Sequence, residues 1–206
     1  MQCKLCDAHS YFDVIYETSD IYLAFDNYGL HYGHLLLIPK KHILNFSYAN
    51  RKTELLVSTI VDILKQYFKK NIIIYEHGNI TENQTSNISI DHAHLHLLPL
   101  TNGINEIEKK MTLEVKVERT ELQAFYSEIQ TLPYHFLSLN CQHSLYTYDA
   151  WKSQAFRETY ALSEKIAKWD WKKDGIEITT HNSAMSVQKQ QLKRYLARRL
   201  DNAGIK

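Results

Sequence analysis

The chain has 206 residues, 44% hydrophobic and 23% charged, a balance typical of a globular protein rather than a disordered one. Its net charge of +1 gives no general attraction to nucleic acid or to an acidic membrane, and its longest apolar runs, over 35–38 and 72–75, are too short to span a bilayer. The N-terminus has no apolar stretch like that of a signal peptide, and three cysteines, an odd count, favour a reducing compartment. We therefore expect a cytoplasmic protein that does not bind a membrane.

The first hundred residues predict an α+β domain with a mostly antiparallel, five-stranded sheet. Apolar or alternating runs predict strands over 14–16, 21–25, 34–38, 72–76 and 92–100. Between the third and fourth strands, residues 50–70 carry apolar side chains at spacings of three and four, which predicts an amphipathic helix. A polar loop over 79–89 precedes the last strand. Strands interrupted by one helix in this order indicate an α+β domain over 1–102.

The second half, 103–206, predicts a C-terminal α+β extension. Helices are predicted over 104–111, 119–130, 153–169 and 186–202. Strands are predicted over 112–118, 134–139 and 144–148, the last two as a hairpin. No low-complexity linker separates the two halves, so we expect the extension to pack on the N-terminal domain.

Three histidines alternate along the fifth predicted strand. Because side chains alternate between the two faces of a strand, His92, His94 and His96 are predicted to share one face, while apolar residues occupy the other. Imidazole acts as a nucleophile, a general acid–base or a metal ligand near neutral pH. On spacing alone, the row is also compatible with three half-exposed histidines or with a multi-histidine metal site.

The stretch His-Ala-His-Leu-His-Leu-Leu over 92–98 resembles the signature of the histidine triad (HIT) superfamily. Upstream, Gly-His-Leu-Leu-Leu-Ile-Pro-Lys-Lys-His over 33–42 is similar to a second conserved stretch of that family. The resemblance covers about residues 1–100. It implies a HIT-like sheet and nucleotidyl transfer at an α-phosphate, to water or to another acceptor, with a dinucleoside polyphosphate or a nucleoside phosphoramidate as substrate.

The resemblance also implies catalytic roles for three residues. His94 matches the middle histidine, which attacks phosphorus and forms a covalent nucleotidyl-histidine. His96 would hydrogen-bond phosphate oxygens or the leaving group. Ser89 occupies a position often held by a hydroxyl residue and would bond the same groups, although a serine at a loop end can equally cap its own backbone.

The implied substrate-binding residues lie on the preceding strands. Asp26, eight residues before His34, matches an acidic or amide residue that binds ribose hydroxyls, with Asn27 beside it; the alternative is a turn former at a strand end. His34 would line the same pocket. Glu76 and His77 replace the Asn-x of an Asn-x-Gly found in many members. A carboxylate near phosphate would be repulsive unless it were protonated, paired with a cation or turned to a sugar.

A Cys-x-x-Cys pair opens the chain. In many HIT proteins such a pair joins the histidine of Ile-Pro-Lys-x-His and the first triad histidine, so the resemblance implies a structural zinc on Cys3, Cys6, His42 and His92. A redox role is disfavoured because no strand precedes the pair. Two unmetallated thiols remain the alternative.

The resemblance implies a homodimer through a shared sheet, unless the extension blocks that interface. Alternative functions are a phosphorolytic dinucleoside polyphosphate nucleotidyltransferase and a weakly catalytic nucleotide sensor, the latter favoured by Glu76. In the extension, Arg157 or Gln154 could reach phosphate, but a helix-surface role is preferred. A basic helix face is compatible with a nucleic-acid end, although a solvated face is favoured; it comprises Lys189, Lys193, Arg194, Arg198 and Arg199.

Overall fold

The computed structural model of the chain describes residues 3–30, 32–46, 51–78, 90–101, 104–114, 119–121, 134–140, 142–147, 155–166 and 183–205. The helices in these ranges are α1 (Ala8–Tyr11), α2 (Arg51–Phe68), α3 (Ile104–Glu114), α4 (Ala155–Ser163) and α5 (Ser183–Asn202). The strands are β1 (Val14–Glu17), β2 (Ile21–Phe25), β3 (Leu35–Pro39), β4 (Asn71–Gly78), β5 (Leu95–Leu100), β6 (Arg119–Glu121), β7 (Tyr134–Leu139) and β8 (Gln142–Thr147).

All described strands belong to one sheet of order β1-β2-β3-β5-β4-β7-β8-β6, and every neighbouring pair is antiparallel. The first five strands form the predicted five-stranded unit, which confirms the α+β class. The extension continues the same sheet, because β7 pairs with the outer edge of β4 and places Glu76 opposite Phe136. The two halves are therefore joined by backbone hydrogen bonds as well as by side-chain packing.

The sheet is covered by helices on both faces, as the apolar alternation of its central strands requires. On β4, Ile72 and Ile74 face the cluster that contains the apolar side of α2 and three leucines of α5. Tyr75 faces the opposite cluster, which includes α3 and α4. The N-terminal segment with α1 packs on this second face near β2 and β3. No helix among the described residues is long and apolar enough to cross a membrane.

Among its described residues, the second half departs from its predicted elements at two places. Helix α3 runs on to Glu114, where a strand over 112–118 was expected, and β6 lies at the start of the expected 119–130 helix. Pairing of β6 with residues 144–146 of β8 accounts for the second difference, because a sheet partner overrides a weak helical propensity. The hairpin is confirmed, with Asn140 in its turn at a φ of 51°. The last two predicted helices correspond to α4 and α5.

Gly33 lies in the turn before β3 with a φ of 88°, and a Cβ atom there would lie 2.2 Å from Cζ of Phe68. We expect Gly33→Ala to lower the free energy of unfolding by about 2–4 kcal/mol, since it combines backbone strain with overpacking against the end of α2. Gly204→Ala is the matched control, because its φ is 70° but no atom lies within 4 Å. Chemical denaturation measures both. Equal losses in the two variants would contradict the contact with Phe68.

Candidate active site and metal centre

The triad histidines lie where the chain enters β5. The strand begins at Leu95 rather than at His92 as predicted, because the preceding backbone bonds elsewhere: the Ala93 amide donates to the Ile43 carbonyl at 2.6 Å. His96 lies within β5, and the His94 ring is adjacent to it, with centroids 4.9 Å apart. The structure therefore brings His94 and His96 together, while His92 turns to a different cluster.

The orientation of His94 is fixed by its own backbone. Nδ1 lies 2.9 Å from the His92 carbonyl oxygen, so this nitrogen carries the hydrogen and donates it. The lone pair is then on Nε2, on the far side of the ring. Burial lowers the pKa of His94, so the ring is neutral near pH 7. A neutral, half-buried imidazole with a fixed tautomer is ready to act as a nucleophile.

A second chain of hydrogen bonds sets the tautomer of His96. The Leu30 amide donates to Nδ1 of His34 at 3.1 Å, so Nε2 of His34 carries the hydrogen. That nitrogen lies 2.9 Å from Nδ1 of His96, which must therefore accept. The hydrogen of His96 is left on Nε2. Burial, and then the charge of Arg157, keep the pKa of His96 well below its usual range, so this ring is a neutral donor.

Asp26 is buried at the base of this chain. Its Oδ1 accepts from the Tyr28 amide at 2.8 Å, and its Oδ2 accepts from Nη2 of Arg157 at 2.6 Å. Nε2 of His34 is also 3.3 Å from Oδ2. Burial acts to raise the pKa of Asp26, but the charge of Arg157 and the hydrogen bonds from Arg157 and the Tyr28 amide outweigh it and bring the pKa to about 2. The carboxylate is ionised, and both of its oxygens are engaged.

The other predicted substrate residues occupy different positions. Asn27 donates from Nδ2 to the Tyr11 carbonyl at 2.7 Å, which ties the turn after β2 to α1. His77 lies on the same face of the sheet as His96 and stacks on His135 of β7, with centroids 4.7 Å apart. Burial keeps its pKa well below the usual range. Ser89 lies outside the described residues.

Glu76 faces away from the triad, which corrects its predicted place in the substrate pocket. It follows Ile72 and Ile74 on the α2 face of β4 and is fully buried. One carboxylate oxygen accepts from the Phe46 amide at 2.9 Å, and the other accepts from the Tyr134 hydroxyl at 2.7 Å. Burial and this carboxylate raise the pKa of Tyr134 well above its usual range, so the hydroxyl remains a donor.

Helix α4 of the extension covers the triad face of the sheet, an arrangement that the sequence analysis missed. Phe156 stacks on Tyr75 of β4 with centroids 3.7 Å apart and an interplanar angle of 9°. The Tyr160 hydroxyl donates to the Pro99 carbonyl at 2.6 Å. The Tyr75 hydroxyl lies 2.6 Å from Nδ1 of His135. These aromatic contacts hold α4 over β4 and β5.

The second site is a cluster of Cys3, Cys6, His42 and His92, whose ligand atoms all lie within 4.8 Å of one another. The sulfur–nitrogen distances of 3.3–3.4 Å are close to the roughly 3.5 Å expected across a tetrahedral zinc with bonds of about 2.3 Å to sulfur and 2.0–2.1 Å to nitrogen. The residues present therefore fit a divalent metal.

The surroundings of His92 also suit a metal ligand. Its Nε2 donates to the Pro39 carbonyl at 2.8 Å, which leaves the Nδ1 lone pair facing both sulfurs. Burial lowers the pKa of His92 to about 4, so the ring is neutral. Burial and the neighbouring Cys3 raise the pKa of Cys6 to about 11, so without a metal Cys6 is a protonated thiol near pH 7. A bound cation would stabilise the thiolate and lower this pKa.

The oriented His94 ring therefore lies where the chain enters a central strand of the antiparallel sheet. Residues 8–103 match the model of the family described as "HIT domain". No curated protein matches the chain significantly.

Solved structures similar to the chain include a HIT-like protein involved in cell-cycle regulation from Bartonella henselae (27% identity, 48% of this chain, 78% of that chain, TM-score 0.38). A hypothetical histidine triad nucleotide-binding protein from Sulfolobus tokodaii is 17% identical over 79% of this chain and 90% of its own, with a TM-score of 0.37. A HIT family hydrolase from Clostridium thermocellum is 21% identical over 50% of this chain and 94% of its own, also with a TM-score of 0.37.

Proposed function

We propose that the protein is a nucleotidyl hydrolase or transferase that acts at an α-phosphate through a covalent nucleotidyl-histidine on His94. The observation that carries the proposal is the hydrogen bond from Nδ1 of His94 to the His92 carbonyl, which leaves the Nε2 lone pair for attack. Dinucleoside polyphosphates and nucleoside phosphoramidates are the proposed substrate classes.

The reaction has two displacements at phosphorus. In the first, Nε2 of His94 attacks, a P–N bond forms, and the bond to the leaving group breaks, so that the leaving group departs with the bonding electrons. In the second, an acceptor oxygen attacks the same phosphorus and the P–N bond breaks, which restores His94. The Nε2–H of His96 is the proposed donor to phosphate oxygens or to the leaving group, because its Nδ1 is already an acceptor.

The position of Glu76 weakens the argument for a poorly catalytic sensor. That alternative was favoured by a carboxylate close to the phosphates. Glu76 instead lies on the α2 face of the sheet, where the Phe46 amide and the Tyr134 hydroxyl engage its oxygens. It therefore gives no reason to expect repulsion of an anionic substrate.

We also propose that Cys3, Cys6, His42 and His92 hold a structural zinc. Four protein ligands leave no open position for substrate, so the ion would stabilise the N-terminal segment rather than take part in the chemistry. The metal would join the segment before α1 to His42, which follows β3, and to His92, the first triad histidine. In this proposal His92 serves the metal and leaves catalysis to His94 and His96.

The predicted homodimer remains a proposal about the quaternary structure. The outer edge of β4 is paired with β7, so a second copy cannot extend the sheet at that edge. The edge strands of the described sheet are β1 and β6.

The basic face of α5 is partly used in contacts within the protein. Lys193 donates to the Val14 carbonyl at 2.8 Å, and Lys189 lies over the Phe25 ring. These contacts favour a structural role for the basic helix over a nucleic-acid site.

A substrate panel with rapid quenching tests the proposed function. Radiolabelled dinucleoside polyphosphates, nucleoside phosphoramidates and adenylylated ends are mixed with the protein, with and without inorganic phosphate. We expect an acid-labile, base-stable adduct, as for a phosphoramidate, that peptide mapping places on His94. A nucleoside diphosphate formed only with phosphate would identify the phosphorolytic alternative. Turnover that accumulates no adduct under single-turnover conditions would contradict the covalent mechanism.

A further inference from the structure

Arg157 of α4 reaches into the active site of the HIT domain. Its Nη2 donates to Oδ2 of Asp26 at 2.6 Å, and its Nη1 donates to the Tyr28 carbonyl at 2.8 Å. These contacts connect the extension with the turn after β2, across 131 residues of sequence. The side chain of Arg157 is 14% exposed and that of Asp26 is 3% exposed, so the ion pair is largely shielded from water.

The pair belongs to the hydrogen-bond chain that orients His96. Oδ2 of Asp26 lies 3.3 Å from Nε2 of His34 and 3.7 Å from Nδ1 of His96. With its charge balanced by Arg157, the carboxylate acts as a fixed acceptor beside His34 and keeps the hydrogen on Nε2 of that ring. That hydrogen makes Nδ1 of His96 an acceptor, and the donor of His96 is then Nε2.

The helix that carries Arg157 is itself fixed. The adjacent residue, Phe156, stacks on Tyr75, and the Tyr160 hydroxyl bonds the Pro99 carbonyl. An ion pair between a guanidinium and a carboxylate is strong when its geometry is fixed and the surrounding groups are already ordered. The contacts on both sides of Arg157 meet that condition.

We propose that Arg157 is a positioning residue of the active site, supplied by the C-terminal extension, which holds Asp26 as the fixed acceptor that sets the tautomers of His34 and His96. The proposal rests on the nucleotidyl transfer proposed above. It gives the extension a part in the reaction, although the triad itself lies within the HIT domain.

Steady-state kinetics of Arg157→Gln, Arg157→Lys and the exposed control Arg194→Gln test this role. We expect kcat to fall about 10²-fold in Arg157→Gln with little change in KM, because small errors in the position of catalytic groups have effects of this size. Arg157→Lys keeps the charge but loses the second hydrogen bond, and we expect an intermediate loss of about 10-fold. Arg194→Gln is expected to match the wild type, since Arg194 is exposed on α5, on the other side of the sheet.

A double-mutant cycle with Asp26→Asn isolates the pair. Each single substitution leaves one buried charge without its partner, whereas the double variant removes both charges. We therefore expect the double variant to be no less active than the poorer single variant. Additive losses would show that Arg157 acts independently of Asp26. A fall in KM in Arg157→Gln would also overturn the proposal, because it would identify Arg157 as an obstacle to substrate.

Nitrogen-15 spectra of the histidine rings provide a readout that does not depend on turnover. In the wild type, Nδ1 of His34 and of His96 should have the chemical shifts of unprotonated nitrogens, and this pattern should change in Arg157→Gln but not in Arg194→Gln. Melting temperatures show whether each variant is folded. If the wild type had no nucleotidyl activity, the proposed function would fail, while the spectra would still test the role of Arg157. An unchanged His96 tautomer in Arg157→Gln would refute the proposed positioning role of Arg157.

Discussion

His94→Ala is expected to abolish turnover while nucleotide binding is largely retained. Removing a nucleophile typically lowers kcat by about 10⁴- to 10⁶-fold, because the remaining groups cannot form the covalent intermediate. His96 cannot replace it, since its Nδ1 accepts from His34 and its lone pair is therefore engaged. Single-turnover kinetics and equilibrium nucleotide binding measure the two effects separately.

Two further histidine variants make the test specific. His9→Ala is the matched control, because His9 has a side chain that is 57% exposed and contacts Glu17 rather than the triad. His96→Ala should be milder, with a loss of about 10²- to 10³-fold, as for removal of one donor to a developing charge. Full activity in His94→Ala would refute the covalent mechanism, and equal losses in His94→Ala and His96→Ala would contradict the separate roles given to the two rings.

Loss of the proposed zinc is expected to destabilise the fold without removing a catalytic group. In Cys3→Ser/Cys6→Ser we expect no bound metal and a loss of at least about 3 kcal/mol in the free energy of unfolding, a fraction of the 10–16 kcal/mol that zinc contributes in zinc-finger peptides. For a chain of this length, such a loss lowers Tm by about 6–12 °C. Metal analysis and thermal unfolding, before and after treatment with a chelator, make the measurement.

The Cys3→Ser/Cys6→Ser variant is also the control for the chelation experiment. Chelation should lower the Tm of the wild type and leave that of the double variant unchanged. Titration of the apo protein with Co²⁺ should give the charge-transfer absorption of thiolate ligands in the wild type only. If the purified protein held no metal and the double variant were as stable as the wild type, Cys3 and Cys6 would be ordinary thiols and the zinc proposal would be wrong.

The N-terminal half of the fold could be predicted because its patterns are strong and local. The helix over 51–68 and the strands around it follow from the spacing of apolar residues and from Gly33 and Pro39, which mark the two ends of β3. Alternation along β4 is also enough to place Glu76 on the same face as Ile72 and Ile74, whereas the resemblance implied a place near the substrate. The metal cluster was expected from the resemblance, and the structure brings its four residues together.

The C-terminal half could not be predicted as well because its structure depends on distant partners. The three residues of β6 form a strand through pairing with β8, and nothing in their own sequence favours a strand over a helix. The contact between Arg157 and Asp26 has no local signal either, since it depends on where α4 crosses the sheet. A surface role for Arg157 was preferred on its helix alone, and the opposite half of the protein determines its actual place.

The pairing of β4 with β7 has a consequence for how the chain is made. During synthesis residues 8–103 leave the ribosome before β7, so the hydrogen-bonding edge of β4 remains open until residues 104–139 have also been added. An unpaired edge is a template for association with other chains. Newly made N-terminal halves are therefore vulnerable to aggregation for that interval, and a fragment that ends after the HIT domain would carry the same open edge permanently.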